Sequence, residues 1–498
     1  MSELDVLTAR VLQPGFDGRE IPDWVRRRLA DGLGSVILFA ANIKSPTQLR
    51  ALTDGLRAEN PDMFVAIDEE AGDITRLEAA TGSSFPGNLA LGAVDDVALT
   101  EAAARSIGAL VRAAGIDLDY APVADVNSEP RNPVIGARSF GSDPTLVARH
   151  VAAAVRGLHA AGVAACAKHF PGHGDTVVDS HFGLPTVTAT LAELRRDTLP
   201  PFAAAAEAGV RAVMVAHLLM PEFDAEHPAS VSPAVIGGLL RSELGFDGLA
   251  VSDAIGMAAV RERYGLAGAA VRALAAGIDL VCVDSNTTDA DLTAITDAVA
   301  AALRDGTLSE ARLVEAAERV AAFAEWRRAA RETPVNAADA TDATDTADAT
   351  DTTDATDIAN AADAARASIG LAAARRAATV LRADDGALPL KAAPHVVEAV
   401  LPRSLATCLA ELLPGTTSSQ LAATTEVPAD RPLVIVVRGI QRSPEDLERV
   451  TSLVKDRPDT IVVDLGVAHI DPGGAAWIAS YGASRVCLQA AAEILTGR

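Results

Sequence analysis

Short apolar runs alternate with longer Ala-rich stretches along the first two thirds of the chain. Apolar runs bounded by turn residues are typical of buried parallel strands. The stretches between them are long enough for helices, for example Leu99–Ala114 and Leu146–Ala161. The predicted strands are Ser35–Phe39, Met63–Ile67, Ile116–Pro122, Val163–Ala167, Ala212–Ala216, Leu249–Ser252 and Asp279–Val283, with a weaker one near Arg10–Leu12.

These repeated strand–helix units predict an α/β fold, a (β/α)8 TIM-type barrel, because eight units fit in about 330 residues. A doubly wound open sheet is the rival architecture. No Gly-x-Gly-x-x-Gly motif follows the first predicted strand, and its absence weakens a dinucleotide-binding interpretation.

The segment Asn336–Asn360 breaks the pattern with repeats of Asp-Ala-Thr and Asp-Thr-Thr and no large apolar residue except Ile358. This composition predicts a solvated, self-repelling linker. Strands are predicted again beyond it, at Val396–Val400, Leu433–Val437, Thr460–Leu465 and Arg485–Leu488. We therefore expect a barrel over residues 1–333, a flexible linker over 334–365 and a smaller α/β domain over 366–498.

Length and charge narrow the class of protein. A chain of 498 residues is too long for one ordinary core, which agrees with two domains. The net charge of -24 argues against binding to nucleic acid or to anionic lipid. No apolar run approaches the roughly 18 residues of a membrane span, and the first residues lack the features of a secretory signal. A cytoplasmic location is the expectation; the oligomeric state is left open.

No metal and no cofactor are expected. The four cysteines are far apart and form no Cys-x-x-Cys pair, so they are predicted to be buried free thiols. The segment from His169 to His181 is rich in His and Asp, but its spacing matches no His-Glu-x-x-His motif. The neighbouring Lys168 also disfavours a divalent cation.

Polar residues cluster where the predicted strands end. Asp68-Glu69-Glu70 follows Ile67, Lys168-His169 follows Ala167, His217 follows Ala216, and Asp253 follows Ser252. The carboxyl ends of barrel strands meet at one rim, which is where active sites of such barrels lie. Asp253 could attack an anomeric carbon or position a cation, and the alternative is a helix N-cap.

The densest group of ionisable residues is Lys168–Thr176 with the following Asp179-Ser180-His181. A carboxylate that binds one imidazole nitrogen fixes the tautomer and raises the basicity of the other nitrogen. Asp179 therefore makes His181 a candidate proton shuttle, with a surface turn as the alternative. Arg138 follows a turn-rich loop and is a candidate ligand-binding residue, with a structural salt bridge as the alternative.

Together these motifs resemble glycoside hydrolase family 3, in its β-N-acetylglucosaminidase branch. The matching pieces are Asp119-Tyr120-Ala121-Pro122-Val123, Arg138-Ser139-Phe140-Gly141, Lys168 through Thr176, Asp179-Ser180-His181 and Ser252-Asp253-Ala254-Ile255-Gly256-Met257. The C-terminal part is similar to the αβα sandwich domain of this family, with a weaker match through Ala387-Leu388-Pro389-Leu390.

The resemblance implies a retaining enzyme that removes terminal β-linked N-acetylglucosamine from a carbohydrate substrate, with peptidoglycan fragments as the expected source. Asp253 would be the nucleophile, and His181 with Asp179 the acid/base, which departs from the usual pair of carboxylates. The residues implied to hold the sugar are Asp68, Arg76, Arg138, Lys168, His169 and His217. A neutral His tolerates an approaching anion, so phosphorolysis stays open as an alternative.

One segment departs from the family pattern. The family usually has Asp-Gln-Glu-Gly-Gly-Arg after the third strand, whereas this chain has Asp68-Glu69-Glu70-Ala71-Gly72-Asp73. Glu69 and Asp73 are expected to make the local field more negative. A catalytically weakened sugar-binding protein is therefore a further alternative, which the intact Asp253, Asp179 and His181 oppose.

Overall fold

The computed structural model describes residues 2–180, 183–332, 367–399, 403–422 and 427–498. His181, Phe182 and the predicted linker over 334–365 lie outside the described residues. No helix within the described ranges is long and apolar enough to cross a membrane.

Eight short parallel strands form a barrel, which confirms the predicted architecture. The strands β2 to β7 pair in chain order, and β1 pairs with β8. The ring closes through the bridge between Val251 and Leu280 and through the Ile37 amide, which donates to the Pro14 carbonyl. The strands are β1 (Leu12–Gln13), β2 (Ser35–Leu38), β3 (Phe64–Ile67), β4 (Leu118–Asp119), β5 (Ala164–Phe170), β6 (Ala212–Val215), β7 (Leu249–Ser252) and β8 (Val281–Cys282). An open sheet is excluded by this closed strand order.

Helices surround the strands, and side-chain caps mark several of their starts. The predicted helix at Leu146–Ala161 is found at Pro144–Ala160, since the Asp143 side chain accepts from the Thr145 amide and Pro144 suits the first turn. The helical segments of more than three residues before the predicted linker are Glu3–Arg10, Asp23–Ala30, Pro46–Glu59, Asn88–Val94, Val97–Ala113, Pro144–Ala160, Leu191–Asp197, Pro200–Glu207, Ala234–Glu243, Ala258–Ala276, Asp289–Asp305 and Glu310–Glu332. Of these, Asn88–Val94 belongs to the second compact unit described below and not to the barrel.

Two buried carboxylates, one just before β4 and one just before β8, stabilise the amino-terminal rim of the barrel. Each accepts a hydrogen bond from the main chain of the neighbouring strand and from arginines, which is the pairing that a buried charge requires. Asp117 accepts from the Val65 amide, Arg57 and Arg331, and Asp279 accepts from the Ala250 amide, Arg241 and Arg312. The amino-terminal rim therefore has a structural role, and catalysis is expected at the opposite rim, where the carboxyl ends of the strands lie.

The chain divides into two compact units, and the predicted linker is not the only place where the chain passes from one unit to the other. The first contains Met1–Glu70, Thr100–Ser128 and Ser142–Val335, and the second contains Ala71–Leu99, Glu129–Gly141 and Asn336–Arg498. Two segments that precede the linker in sequence thus belong to the second unit. The side chains that pack there include Ala90, Ala374, Ala377, Val486, Cys487 and Ala490. The boundaries proposed from the sequence at 333 and 366 stay a prediction.

The second unit contains a six-stranded sheet with helices on both faces, which confirms the expected αβα sandwich. The strands are β9 (Thr379–Ala383), β10 (His395–Glu398), β11 (Thr417–Gln420), β12 (Leu433–Val437), β13 (Ile461–Asp464) and β14 (Ala476–Ala479), in the order β9-β14-β13-β12-β10-β11. Only β9 pairs antiparallel within this sheet as described. Helices Leu405–Leu412 and Arg485–Thr496 pack on one face and Pro444–Asp456 on the other; residues 367–377 are also helical.

The predicted strand at Arg485–Leu488 is wrong, because this segment begins the helix Arg485–Thr496. The Ser484 side chain accepts from the Cys487 amide and caps the helix. The apolar residues Leu488, Ala491 and Leu495 recur at helical spacing and are buried on the sheet. Three strands of this sheet were not predicted, namely β9, β11 and β14.

Asp464, at the carboxyl end of β13, gives the second unit a predicted pH dependence. Burial raises the pKa of Asp464 to about 6, above its unfolded value of about 3.9. The folded state therefore binds this proton more tightly, and the stability that protonation supplies is lost as pH rises through 6. The free energy of unfolding of the wild type should fall by about 1 kcal/mol between pH 5 and pH 7, whereas that of Asp464→Asn should not fall for this reason. The variant should therefore gain about 1 kcal/mol relative to the wild type over this pH range.

Urea denaturation at both pH values measures this gain. The exposed Asp456 provides the matched control, and Asp456→Asn should show no such gain. A difference between Asp464→Asn and wild type that stays constant with pH would contradict the prediction.

Candidate active site

The first unit brings several predicted site residues to the carboxyl ends of the barrel strands. Asp68 follows β3, Lys168 and His169 lie in the last part of β5, His217 follows β6, and Asp253 follows β7. Strand β5 is longer than predicted, since Lys168 bridges to Val123 and the Phe170 carbonyl accepts from the Ala216 amide. The clustering of these residues at one rim agrees with the position of active sites in such barrels.

Lys168 is buried between two carboxylates. Its ammonium donates to Asp68 and lies 2.6 Å from the Oε1 atom of Glu70. The Lys168 side chain is only 2% exposed, and a buried ammonium needs such partners to remain charged. The predicted site residues Asp68 and Lys168 therefore meet. Glu70 was not predicted as a site residue, although its place in the Asp68-Glu69-Glu70 run after β3 was a usable signal.

His169 is held by Asp125, which sequence reasoning missed. The Asp125 carboxylate lies 2.7 Å from Nδ1 of His169 and also accepts from the main-chain amides of His169 and His173. Burial raises the pKa of Asp125, but the positive charge of His169 and these hydrogen bonds together lower it below its usual value. An ionised carboxylate only accepts, so Nδ1 of His169 carries a proton and donates it to Asp125.

We expect Asp125→Asn to lower kcat/KM by about tenfold or more, because the amide replaces a charged acceptor and no longer fixes the His169 tautomer. Kinetics on an N-acetylglucosaminide together with the melting temperature measure the effect and separate it from unfolding. Asp175→Asn is the control, since Asp175 is an exposed carboxylate in the segment that follows His169. Equal effects of the two substitutions would argue against this role of Asp125.

His173 stabilises the loop that leads to Asp179. Its Nδ1 lies 2.9 Å from the Thr176 hydroxyl and its Nε2 lies 3.1 Å from the Ser180 hydroxyl. Burial lowers the pKa of His173, so the ring is neutral at neutral pH. Asp179 is half-buried in this loop. His181 lies outside the described residues, and its pairing with Asp179 stays a prediction.

Asp253 does not cap the helix that follows it. The N-cap of the helix Ala258–Ala276 is Met257, which makes no side-chain capping bond. The Asp253 carboxylate accepts from the Ala254 amide at 2.8 Å, while its own amide donates to the Val215 carbonyl. The structural alternative for Asp253, a helix cap, is therefore excluded.

His217 supports the turn after Asp253. Its Nε2 lies 3.0 Å from the Ala254 carbonyl oxygen and its Nδ1 lies 2.7 Å from the Ser230 hydroxyl. A carbonyl oxygen only accepts, so Nε2 carries a proton and donates. The ring is fully buried, and both of its nitrogens contact protein atoms of the first unit.

Arg76 and Arg138 belong to the second unit and are half-buried. Arg138 ends a short 3-10 turn, Gly136–Arg138, and its guanidinium donates to the Val134 carbonyl at 3.2 Å. The Asn132 side chain accepts from the Val134 and Ile135 amides and so stabilises the loop before it. The roles of Arg76 and Arg138 in binding sugar stay predictions.

Asp73, which stands where the family usually has Arg, is paired within the second unit. Its Oδ2 accepts from Arg438 at 2.6 Å and its Oδ1 accepts from the Ala483 amide at 2.7 Å. Its charge is therefore compensated, and the extra negative field expected from Asp73 is reduced. In the described part of the chain, no group of three or more His, Cys, Asp or Glu side chains could hold a metal ion.

With this geometry established, comparison with known proteins assigns the family. The family model described as the glycosyl hydrolase family 3 N-terminal domain matches residues 7–323, more than half of the chain. The chain belongs to glycosyl hydrolase family 3. The resemblance inferred from the motifs is thereby confirmed, and so is the predicted enzyme class, glycoside hydrolase.

Similar proteins cover both the barrel and the second unit of this family 3 chain. The structure of a glycoside hydrolase family 3 β-N-acetylglucosaminidase from Paenibacillus sp. str. FPU-7 has a TM-score of 0.84 and 32% identity, covering 100% of this chain and 97% of that chain. A β-hexosaminidase from Pseudomonas aeruginosa (strain LESB58) is 40% identical over 269 residues, 53% of this chain and 79% of that protein. β-Hexosaminidase A from Pseudoalteromonas piscicida is 37% identical over 270 residues, but the match spans only 45% of its length.

Proposed function

We propose that the protein is a retaining exo-β-N-acetylglucosaminidase that removes terminal β-linked N-acetylglucosamine, with peptidoglycan (muropeptide) fragments in the cytoplasm as its substrate. The observation that carries this proposal is Asp253. It directly follows strand β7 on the rim where Asp68, Lys168 and His169 also lie, and it does not cap a helix. The relatives named as β-hexosaminidases and β-N-acetylglucosaminidase support the choice of sugar.

In this mechanism Asp253 attacks the anomeric carbon and forms a covalent glycosyl-enzyme. The bond between that carbon and the glycosidic oxygen breaks, and His181 donates a proton to the departing oxygen. His181 then takes a proton from water, which attacks the anomeric carbon and releases Asp253. Asp179 orients the imidazole and stabilises its charged form. The Ala254 amide donates to the Asp253 carboxylate and helps to orient it.

The surrounding side chains have proposed roles in holding the sugar. Asp68, whose charge is balanced by Lys168, and His169, whose ring is oriented by Asp125, are proposed to contact the hydroxyl groups of the sugar. Arg76 and Arg138 are proposed to donate to the sugar as well. His217 was expected to bind the sugar; its contacts with Ala254 and Ser230 favour a role in positioning the turn that carries Asp253.

A chromogenic β-N-acetylglucosaminide, assayed with and without inorganic phosphate, tests this function. The proposal predicts turnover without phosphate and release of free N-acetylglucosamine. Formation of N-acetylglucosamine 1-phosphate only when phosphate is present would instead indicate a phosphorylase. Binding of the sugar with no turnover in either condition would indicate a sugar-binding protein and would contradict the proposal.

A further inference from the structure

A groove of about 620 Å³ in the first unit lies beside the turn that follows β7. The residues that line it are Gly256, Met257, Ala258, Arg261, Glu262 and Asp284. Gly256 belongs to the turn that begins at Asp253, and Asp284 lies just beyond the end of β8. The groove is therefore at the carboxyl ends of two neighbouring strands, on the rim where barrels of this kind bind their ligands.

Main-chain hydrogen bonds hold the end of β8 against this turn. The Gly256 amide donates to the Val283 carbonyl at 3.0 Å. Asp284 is the next residue, and its own carbonyl accepts from the Gly15 amide at 2.8 Å. Asp284 is thus fixed with respect to the turn that carries Asp253.

The two oxygens of the Asp284 carboxylate have different surroundings. Oδ1 accepts from the Ser285 amide at 2.6 Å and from the Ser285 hydroxyl at 3.2 Å. Oδ2 lies against the Cα atom of Gly256, where a Cβ would overlap with it, so the glycine makes room for this oxygen. Within the described ranges, Oδ2 accepts no hydrogen bond and no cationic side chain pairs with Asp284.

The charge of Asp284 acts on the same part of the barrel as the charges of the site residues. Burial raises the pKa of the Cys282 thiol, and the negative charges of Asp253, Asp68 and Asp284 raise it further. Cys282 is buried at the end of β8. The three carboxylates therefore lie near one another around this end of the strand.

The remaining charges of the groove do not favour an anion. Arg261 and Glu262 contribute one exposed charge of each sign, so with Asp284 the groove carries more negative than positive charge. An ionised carboxylate only accepts hydrogen bonds, and a ligand at Oδ2 must therefore bring a donor. Hydroxyl groups are the donors that a carbohydrate offers.

We propose that Asp284 is a specificity-determining residue that accepts a hydrogen bond from a hydroxyl group of the departing sugar. This inference rests on the proposed function. The side chains of the first unit proposed to hold the N-acetylglucosamine come from β3 and β5, across the closed barrel from β8. Because the anomeric carbon must reach Asp253, the groove beside β8 is left for the other side of the glycosidic bond. Its volume of about 620 Å³ lies within the range of small-molecule pockets and admits a sugar ring.

Two substrates distinguish a contact with the departing sugar from a general effect on the enzyme. One is the β-1,4-linked disaccharide of N-acetylglucosamine, whose departing sugar carries hydroxyl groups. The other is a nitrophenyl β-N-acetylglucosaminide, whose leaving group has no hydrogen-bond donor. With Asp284→Ala, kcat/KM for the disaccharide should fall by about tenfold or more relative to kcat/KM for the aryl glycoside, because a hydrogen bond to a charged group is lost.

A conservative variant and a control accompany this measurement. Asp284→Asn keeps an acceptor for the Ser285 amide but loses the charge, so it should show a smaller loss in the same direction. Asp297→Ala is the matched control, since Asp297 is an exposed carboxylate on the helix Asp289–Asp305 and lies outside the groove. Melting temperatures show whether the variants are folded, and Asp284→Asn alone carries the test if Asp284→Ala is not.

The outcomes separate this inference from the proposed function. If the wild type cleaves both substrates and the Asp284 variants keep its substrate preference, the inference is overturned and the proposed function stands. A wild type that cleaves neither substrate would contradict the proposed function.

If the disaccharide is not cleaved, calorimetric binding to the full-length protein decides the inference. Asp284→Ala should then weaken binding of the disaccharide by about tenfold or more relative to binding of N-acetylglucosamine. An unchanged ratio of the two affinities, or a wild type that does not bind the disaccharide, would overturn the inference.

Discussion

Replacing Asp253 with Ala is expected to lower kcat on a chromogenic β-N-acetylglucosaminide by about 10³-fold or more, because the covalent step loses its nucleophile. The fold should persist, since the strand pairing of β7 does not use this side chain. The melting temperature checks that point. Asp247→Ala is the matched control: Asp247 is an exposed carboxylate just before the same strand, and its loss should leave kcat unchanged.

Asp253→Ala also leaves space beside the anomeric carbon. A small external nucleophile such as azide should therefore restore part of the rate on a substrate with a good leaving group. The product should be a glycosyl azide of inverted configuration, because only one displacement then takes place. A variant that retains wild-type turnover would remove Asp253 from the proposed mechanism.

The second large effect is expected for His181. General acid–base catalysis is typically worth roughly 10²–10⁴-fold in rate, so His181→Ala should slow substrates with poor leaving groups by a factor in that range. Activated aryl glycosides need little protonation of the departing oxygen, and glycosyl-enzyme formation should be less affected with them. Asp179→Ala should show a milder form of the same pattern, because the imidazole remains but is no longer oriented.

Pre-steady-state rates across aryl glycosides with leaving groups of different pKa measure this pattern. His469→Ala is a control, since His469 is exposed in the second unit. Equal losses on good and poor leaving groups, with glycosyl-enzyme formation rate-limiting, would argue for a binding or structural role of His181 and against a role as acid.

The barrel was predictable from sequence because local pattern decides it. Each strand is a short apolar run, and the polar residues after β3, in the last part of β5 and after β7 mark the functional rim. The short segment Arg485–Leu488 was misassigned because three consecutive apolar residues fit a strand as well as a helix. Only the helical spacing that continues to Leu495, together with the cap at Ser484, distinguishes the two.

The partners of the site residues were less predictable. Asp125 and His169 are far apart in sequence, as are Asp73 and Arg438, and hydrophobic periodicity carries no information about such pairs. The same limit applies to Ala71–Leu99 and Glu129–Gly141, which belong to the second unit although they precede the linker. Membership of a compact unit depends on long-range packing, here with residues such as Ala374 and Ala490.

The most direct test of the account is to trap the covalent intermediate with a mechanism-based fluorosugar related to N-acetylglucosamine and to identify the labelled residue by peptide mass spectrometry. The account predicts one label per chain, on Asp253, with retained configuration in the product of normal turnover. A label on another carboxylate, or an inverted product with no trapped intermediate, would contradict it.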